Sequence, residues 1–256
     1  MDGNGVDNMK QQVNLNGIVL SASMQDEFDK RLVILTKERG KVTAFARGAR
    51  RPGSPLMAIS TPFTYASFQC YQSYDAYRIA KAQAVDFFDE MKQNLDDVCY
   101  ASYFCELADH VTMEGTSDKN LLNLLYVTFK ALIKAQMDRA LIRRTYELKL
   151  LELEGLAPQV FDCVKCGRKN LQQAVFDSAS GGILCEICEK QASHGLAICG
   201  DTLYTLRHIR TMPLEKLYGF HVSAQVLTEL SALCDAYLPL HIDKKCRSLE
   251  MLEALS

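Results

Sequence analysis

A small strand-built barrel followed by a helical domain, with a cysteine-rich module set into the helices, is the architecture this sequence predicts. The fold class is α+β and multidomain. Three observations predict it. Five strand-like segments separated by turn signals lie in the first part of the chain. The apolar period lengthens from two residues to that of a helix near residue 84. Two Cys-x2-Cys pairs interrupt the helical pattern, the first beginning at Cys163 and the second ending at Cys188.

The elements follow in order. Segment 13–20 alternates and then runs apolar, and 31–36 is a β-branched run of the kind buried on both faces. Lys37-Glu38-Arg39-Gly40 supplies a turn with glycine at its end, and 41–47 alternates again, which makes a hairpin. Arg51-Pro52-Gly53-Ser54-Pro55 cannot continue a strand. Segments 63–71 and 77–85 complete five strands, enough for a small closed barrel. From 84 to 111 the apolar residues, Phe87, Phe88, Met91, Leu95, Val98 and Phe104 among them, fall at helical spacing. Asp118 suits the N-cap of a helix over 121–136. A further helix over 138–154 stops at Gly155, with Pro158 beyond. Cysteine-containing loops fill 161–195, and helical patterning returns around Leu203, along 222–238 and over 249–255. The resulting boundaries are 1–82 for the barrel, 83–160 and 196–256 for the two parts of the helical domain, and 161–195 for the cysteine module.

Composition narrows the function classes. With 256 residues, 48% hydrophobic and 23% charged, the chain is neither disordered, a coiled-coil rod nor collagen-like, and it is long enough for two domains. The first residues lack the basic-then-apolar order of a signal peptide, and the longest apolar stretch, 121–135, is interrupted by Lys130 and Lys134. A cytoplasmic protein without a membrane partner is expected.

In that compartment ten cysteines argue for thiols or metal rather than disulfides. Cys70, Cys99, Cys105, Cys199, Cys234 and Cys246 sit among apolar residues and read as small buried side chains. Cys163, Cys166, Cys185 and Cys188 differ: each pair brings two sulfurs to one ion from a tight turn, and four thiolates close a tetrahedral zinc site. Gly167 eases the first turn, and Gly181-Gly182 the return before the second pair. Four ordinary buried thiols are the plain alternative. A catalytic zinc needs an open position, and the zinc deaminases carry His-x-Glu and Pro-Cys-x-x-Cys; here Asp162 stands at the proline position and no His-x-Glu occurs. The zinc reads as structural.

Charge is the second signal. Between Asp29 and Gly53 lie Lys30, Arg31, Lys37, Arg39, Lys41, Arg47, Arg50 and Arg51, opposed only by Asp29 and Glu38, a local +6 in a chain whose net charge is −2. On charge alone this is either a solvated basic face or a surface that tracks a phosphate backbone. Small barrels often bind single strands with a basic groove and aromatic platforms, and Phe45, Phe63, Tyr65, Phe68, Tyr71, Tyr74 and Tyr77 are available. There is no phosphate-binding Gly-x4-Gly-Lys-Ser/Thr loop, no Gly-x-Gly-x-x-Gly after a strand and no His-Glu-x-x-His, and the five histidines are scattered. Nothing assembles a nucleophile with a base, and no small-molecule substrate is expected.

The ordered features resemble the bacterial recombination mediator family RecO. The resemblance rests on Gly17-Ile18-Val19-Leu20, on the run from Asp29-Lys30-Arg31-Leu32 to Gly40-Lys41-Val42, on Ala46-Arg47-Gly48-Ala49-Arg50-Arg51, on Pro62-Phe63, and on Tyr146-Glu147-Leu148-Lys149-Leu150-Leu151 with Gly155 and Pro158. Residues 21–28 depart from the family's pattern. The four cysteines match the family's zinc-bearing branch. The resemblance implies an N-terminal OB-fold, a helical domain and a zinc module. It implies binding to single- and double-stranded DNA, strand annealing, and work with RecR to load RecA onto DNA coated by single-strand-binding protein (SSB). It also implies no enzymatic activity and a place at the nucleoid. Arg143 and Arg144, heading the helix of Tyr146, are the residues expected to grip the acidic SSB C-terminal tail. Two rival readings are a zinc hydrolase or deaminase acting on nucleic acid and a zinc-stabilised scaffold that binds only protein.

Overall fold

A computed structural model describes residues 11–73, 76–192 and 195–255. Contacts divide the chain into two compact units, Met1–Asp89 with Ala108–Leu122, and Glu90–Leu107 with Asn123–Ser256.

The first unit is built on a closed five-stranded barrel. Its strands are β1 (Gln12–Met24), β2 (Lys30–Thr36), β3 (Gly40–Ala46), β4 (Tyr65–Ser73) and β5 (Ala76–Asp86), with the one-turn helix α1 (Leu56–Ile59) before β4. The order around the barrel is β1-β2-β3-β5-β4. All neighbours are antiparallel except β3 and β5, which run parallel through Thr43↔Ala76, Ala44↔Tyr77 and Phe45↔Arg78. Alternation decides what faces inward: Leu32, Ile34, Val42, Ala44, Phe68 and Ile79 fill the interior. β1 closes the barrel because it pairs on both edges, with Gly17 opposite Thr36 and also Ala66. A Cβ at Gly17 would overlap the Leu35 carbonyl, so glycine is required where β1 bends between its two partners.

The largest departures from the strand pattern are at the end of β1 and the start of β4. β1 continues to Met24 after a bulge between Val19 and Ser21. Phe63, expected to open β4, has φ +72 and lies outside it; Phe63 and Thr64 are held to Val19 by backbone hydrogen bonds of 2.8 and 3.0 Å.

The β2–β3 turn is propped by the segment after residue 111. The Ser117 hydroxyl donates to the Lys37 carbonyl at 2.7 Å, and Gly40 bridges to Glu114. Gly40 has φ +61, and a Cβ there would overlap the Thr116 carbonyl. Gly40→Ala is therefore expected to cost at least about 2 kcal/mol, from the strained backbone and the steric conflict together. A midpoint of chemical denaturation equal to that of the native chain would contradict this.

The helical period from 84 to 111 resolves into three pieces. β5 runs on to Asp86 because it stays paired with β4 through Ala66↔Ala84 and Tyr65↔Asp86. Phe87 and Phe88, expected on a helix, precede it, and Phe88 has φ +51. A short α2 (Asp89–Lys92) follows, and α3 (Leu95–Val111) starts where the Asn94 side chain accepts from the N–H groups of Asp96 and Asp97 at 2.9 and 3.2 Å.

Next come α4 (Lys119–Lys134), whose Leu121 N–H is capped by Asp118 at 2.9 Å, and α5 (Arg139–Leu153), capped by Asp138. α5 is the central helix of the second unit: Leu141, Ile142 and every residue from Arg144 to Leu151 are buried. Gly155, at φ +74, ends it. The cysteine loops carry a three-stranded sheet of order β7-β6-β8, made of β6 (Ala174–Asp177), β7 (Gly182–Leu184) and β8 (Gly195–Ile198). Strands of three or four residues leave no alternation to detect. The chain then returns to helix as α6 (Gly200–Thr211), α7 (Ala224–Tyr237) and α8 (Arg247–Leu255). Among the described residues no helix is long and apolar enough to cross a membrane.

Candidate metal centre and nucleic-acid interface

Cys163, Cys166, Cys185 and Cys188 converge, their four sulfurs all within 4.8 Å of one another. Each pair sits on a tight turn. Gly167 N–H returns to the Cys163 carbonyl at 2.8 Å with Gly167 at φ +71, and the N–H groups of Cys188 and Glu189 both return to the Cys185 carbonyl at 2.9 Å. The turns are joined where Val164 N–H donates to the Ile183 carbonyl at 3.0 Å. Gly182 packs against the Gln159 backbone closely enough that a Cβ would not fit. Leu184, with Val164, Leu171 and Ala192 around it, forms an apolar shell about the sulfurs.

The electrostatics ask for a cation. Burial opposes charge at Cys163, yet backbone N–H groups of Cys166, Cys185 and Lys165 outweigh it and bring the thiol down to about 6. Cys185 is lowered as well, first by the Cys188 N–H. Cys188 is pushed up to about 12 by burial and by its neighbouring thiols. Two sulfurs ready to ionise beside one that resists is the balance a divalent cation reverses, since metal-bound thiols are deprotonated. Four sulfur donors at this spacing fit a soft, tetrahedral ion with no coordination position left for substrate. The residues present can hold a metal ion.

The basic residues of the barrel do not form one patch. Because β2 and β3 are antiparallel, Lys37, Arg39 and Lys41 lie at the hairpin turn, while Lys30, Arg31, Arg47, Arg50 and Arg51 lie toward the opposite end. A strand of seven residues separates the groups by roughly 20 Å. Exposure also divides them. Arg31, Lys37, Arg39, Arg47, Arg50 and Arg51 are exposed, whereas Lys30 and Lys41 are half-buried. Lys41 pairs with Asp109 at 3.2 Å, and Lys30 donates to the Ser60 carbonyl at 3.0 Å. Burial, and then the charge of Arg50, lower the pKa of Lys30. Arg50 donates to the Glu27 carbonyl at 2.9 Å, Arg51 lies over the Phe28 ring at 5.3 Å, and Gly48 N–H donates to Asp29 at 2.8 Å, so the loops after β1 and β3 are bound together.

The aromatic residues separate by face. Phe63, Phe68 and Tyr77 are buried, whereas Phe45, Tyr65 and Tyr71 are half-buried. Tyr74 and His194 lie outside the described residues. Sequence reasoning missed Arg78, which stands over the Tyr71 ring at 5.3 Å.

Arg143 and Arg144 are engaged within the chain. The fully buried Glu147 accepts from Arg143 Nε at 2.7 Å, from Arg144 at 2.9 Å and from the Tyr103 hydroxyl at 2.6 Å. Arg144 also reaches Asp235 at 2.8 Å and Ser231 at 3.2 Å. The helical signal at 143–144 registers a buried charge network, which no local pattern announces.

Comparison with known proteins takes in both units. The profile described as Recombination protein O N terminal matches residues 9–88, and Recombination protein O C terminal matches residues 92–250. A DNA repair protein RecO of Alkaliphilus metalliredigens is 30% identical over 244 residues, which is 95% of this chain and 99% of that protein. A DNA repair protein RecO of Desulforamulus reducens is 31% identical over 242 residues, 94% of each chain. With matches that run from the start of the barrel to the last helix, the chain belongs to the recombination protein O (RecO) family.

Proposed function

We propose that this protein is a non-enzymatic mediator of recombinational DNA repair. In this reading the N-terminal barrel binds single- and double-stranded DNA. The protein anneals complementary strands and, with RecR, loads RecA onto single-stranded DNA coated by SSB. The observation that carries the reading is the exposed basic set on the closed barrel, in a chain whose relatives are named DNA repair proteins. The barrel spans 1–82, the helical domain 83–160 and 196–256, and the inserted ribbon 161–195, and the ion held by Cys163, Cys166, Cys185 and Cys188 is structural zinc. A protein-only scaffold has no use for the +6 segment.

Lys30, Arg31, Lys37, Arg39, Lys41, Arg47, Arg50 and Arg51 are the proposed DNA contacts, with Lys37 and Arg39 the most accessible pair at the hairpin turn. Neutralising both, as Lys37→Ala with Arg39→Ala, removes up to two phosphate contacts. The slope of log K against log salt for single strands then flattens by up to about 1.4 units. Unchanged affinity and slope would take the DNA site off the barrel turn. Annealing of complementary strands, bare and SSB-coated, tests the mediator activity itself.

For the SSB tail, an apolar pocket beside uncommitted positive charge is needed. Arg143 and Arg144 already hold Glu147 and Asp235. A cavity of about 170 Å³ lined by Val127, Ala131 and Met137, with Lys134 and Lys216 beside Glu215 at its wall, supports a tail site there instead. A fluorescent tail peptide titrated against Lys134→Glu with Lys216→Glu, and against Arg143→Gln with its folding measured by thermal denaturation, discriminates the two.

A further inference from the structure

The ladder register of the barrel lines up four side chains that are far apart in sequence. Arg31 of β2 is directly opposite Phe45 of β3, Phe45 is paired with Arg78 of β5, and Arg78 is opposite Tyr71 of β4. Directly paired residues point to the same side of a sheet. That side is the outer one, because the chain neighbours Leu32, Ala44, Ala46, Tyr77, Ile79 and Cys70 are buried in the barrel. The outer surface therefore carries a row that alternates cation, ring, cation, ring across four strands. It spans about 14 Å at the usual strand spacing.

A second row runs beside the first, two residues along each strand. It consists of Val33, Thr43, Ala76 and Ser73, joined by the same ladders. Every one of these side chains is small. A ridge of rings and guanidiniums next to a floor of small residues makes a shallow trough that crosses the strands. The ridge leans into it on one side, since Arg31 donates to the Thr43 hydroxyl at 3.2 Å.

We propose that this trough is the base-reading part of the DNA site: an unpaired strand lies across β2, β3, β5 and β4, its bases stacking on Phe45 and Tyr71 while Arg31 and Arg78 meet its phosphates. The proposal rests on the DNA-binding reading above and deepens it. Phosphate contacts at the hairpin turn treat single and double strands alike. Rings at Phe45 and Tyr71 engage only bases whose faces are open, because a duplex keeps its bases stacked on one another. The row would thus give the trough a preference for single strands that charge alone does not. Half-burial holds both rings in place, and the cation over Tyr71 orients one of them. Stacking of a base on an aromatic side chain is sequence-tolerant, because every base has a π-face.

The test separates bases from phosphates. The full chain is titrated with dT20 and with an abasic oligomer of the same length, which has the same phosphates and no rings. Tighter binding of dT20, by about tenfold or more, is expected. Phe45→Leu and Tyr71→Leu, which keep apolar bulk without a ring, should each bring the affinity for dT20 toward that of the abasic oligomer. The chain contains no tryptophan, so Phe45→Trp or Tyr71→Trp introduces a sole indole at the trough. Its fluorescence should be quenched by dT20 and unchanged by the abasic oligomer; either variant suffices if the other folds poorly. Equal wild-type affinity for the two oligomers, or no differential quenching from either indole, overturns the trough. Failure of the wild-type chain to bind either oligomer overturns the DNA reading itself.

Discussion

Cys166→Ser is expected to release about one equivalent of metal and to unfold the ribbon locally. Cys166 is the exposed member of the four, so the substitution removes a ligand without opening a cavity in the apolar shell. What it removes is large: apparent binding free energies of structural zinc in small modules are about 10–16 kcal/mol, and in such modules binding is folding. Metal analysis of the purified protein and limited proteolysis between residues 161 and 192 check the result. Native protein purified without chelators that holds neither zinc nor iron would defeat it. Acid should act in the same direction. The Cys163 thiol is held well below its ordinary value of 9.0, down to about 6. A group so lowered contributes stability that is present above its ordinary value and is lost as pH falls through the lowered one. Metal retention should weaken as pH falls through the acidic range, because protons compete with the ion for all four thiolates.

The second large effect is expected at Arg144. Arg144→Ala leaves Glu147, which is fully buried, with only Arg143 and the Tyr103 hydroxyl as partners. Removing one member of a buried ion pair costs about 3–5 kcal/mol. Arg143 remains in place, which puts the loss near the lower end, and for a chain of this size Tm then falls by roughly 6–12 °C. The double variant Arg144→Met with Glu147→Leu should lose less than the sum of the two single changes, because it removes both charges together. Additive losses would mean that the pair is not energetically coupled. The same reasoning explains why charge reversal at this helix is a poor test of a binding site unless folding is measured alongside.

Legibility in the sequence tracked how far apart the partners of each feature lie. The four-sulfur cluster was readable to the residue, because each turn carries two cysteines three positions apart. The barrel strands were readable from alternation. The end of β5 was not: Ala80, Ala82 and Ala84 carry little contrast, and the apolar residues from Phe87 onward fit a helical period although pairing with β4 persists to Asp86. The basic residues were visible as a run, but a run cannot tell that an antiparallel hairpin sends three of them to one end and five to the other. The row of Arg31, Phe45, Arg78 and Tyr71 depends on a parallel pairing between strands that are not consecutive in sequence, so no window contains it. Arg143 and Arg144 read as available to an acidic tail because groups that engage their network, Tyr103 and Asp235, come from other helices.

The ribbon and the segment leading into it are held to the two helices that follow. Arg207 of α6 donates to the carbonyls of Val160, Phe161 and Leu171, and Tyr237 of α7 donates to the Leu156 carbonyl at 3.2 Å and meets the Phe176 ring edge-on. Between the end of α5 and the start of α6 stand the 46 residues 154–199. An unstructured chain of that length must be closed before α6 and α7 can dock on α5, and each halving of the effective loop recovers about 0.6 kcal/mol of closure entropy. A metal that cross-links Cys163 with Cys188 short-circuits 25 residues of that path before the helices meet. An ion held there would act on assembly order as well as on the ribbon: loaded early, it would shorten the search that brings the later helices back to α5, so refolding should be faster when metal is present from the start than when it is added after dilution from denaturant.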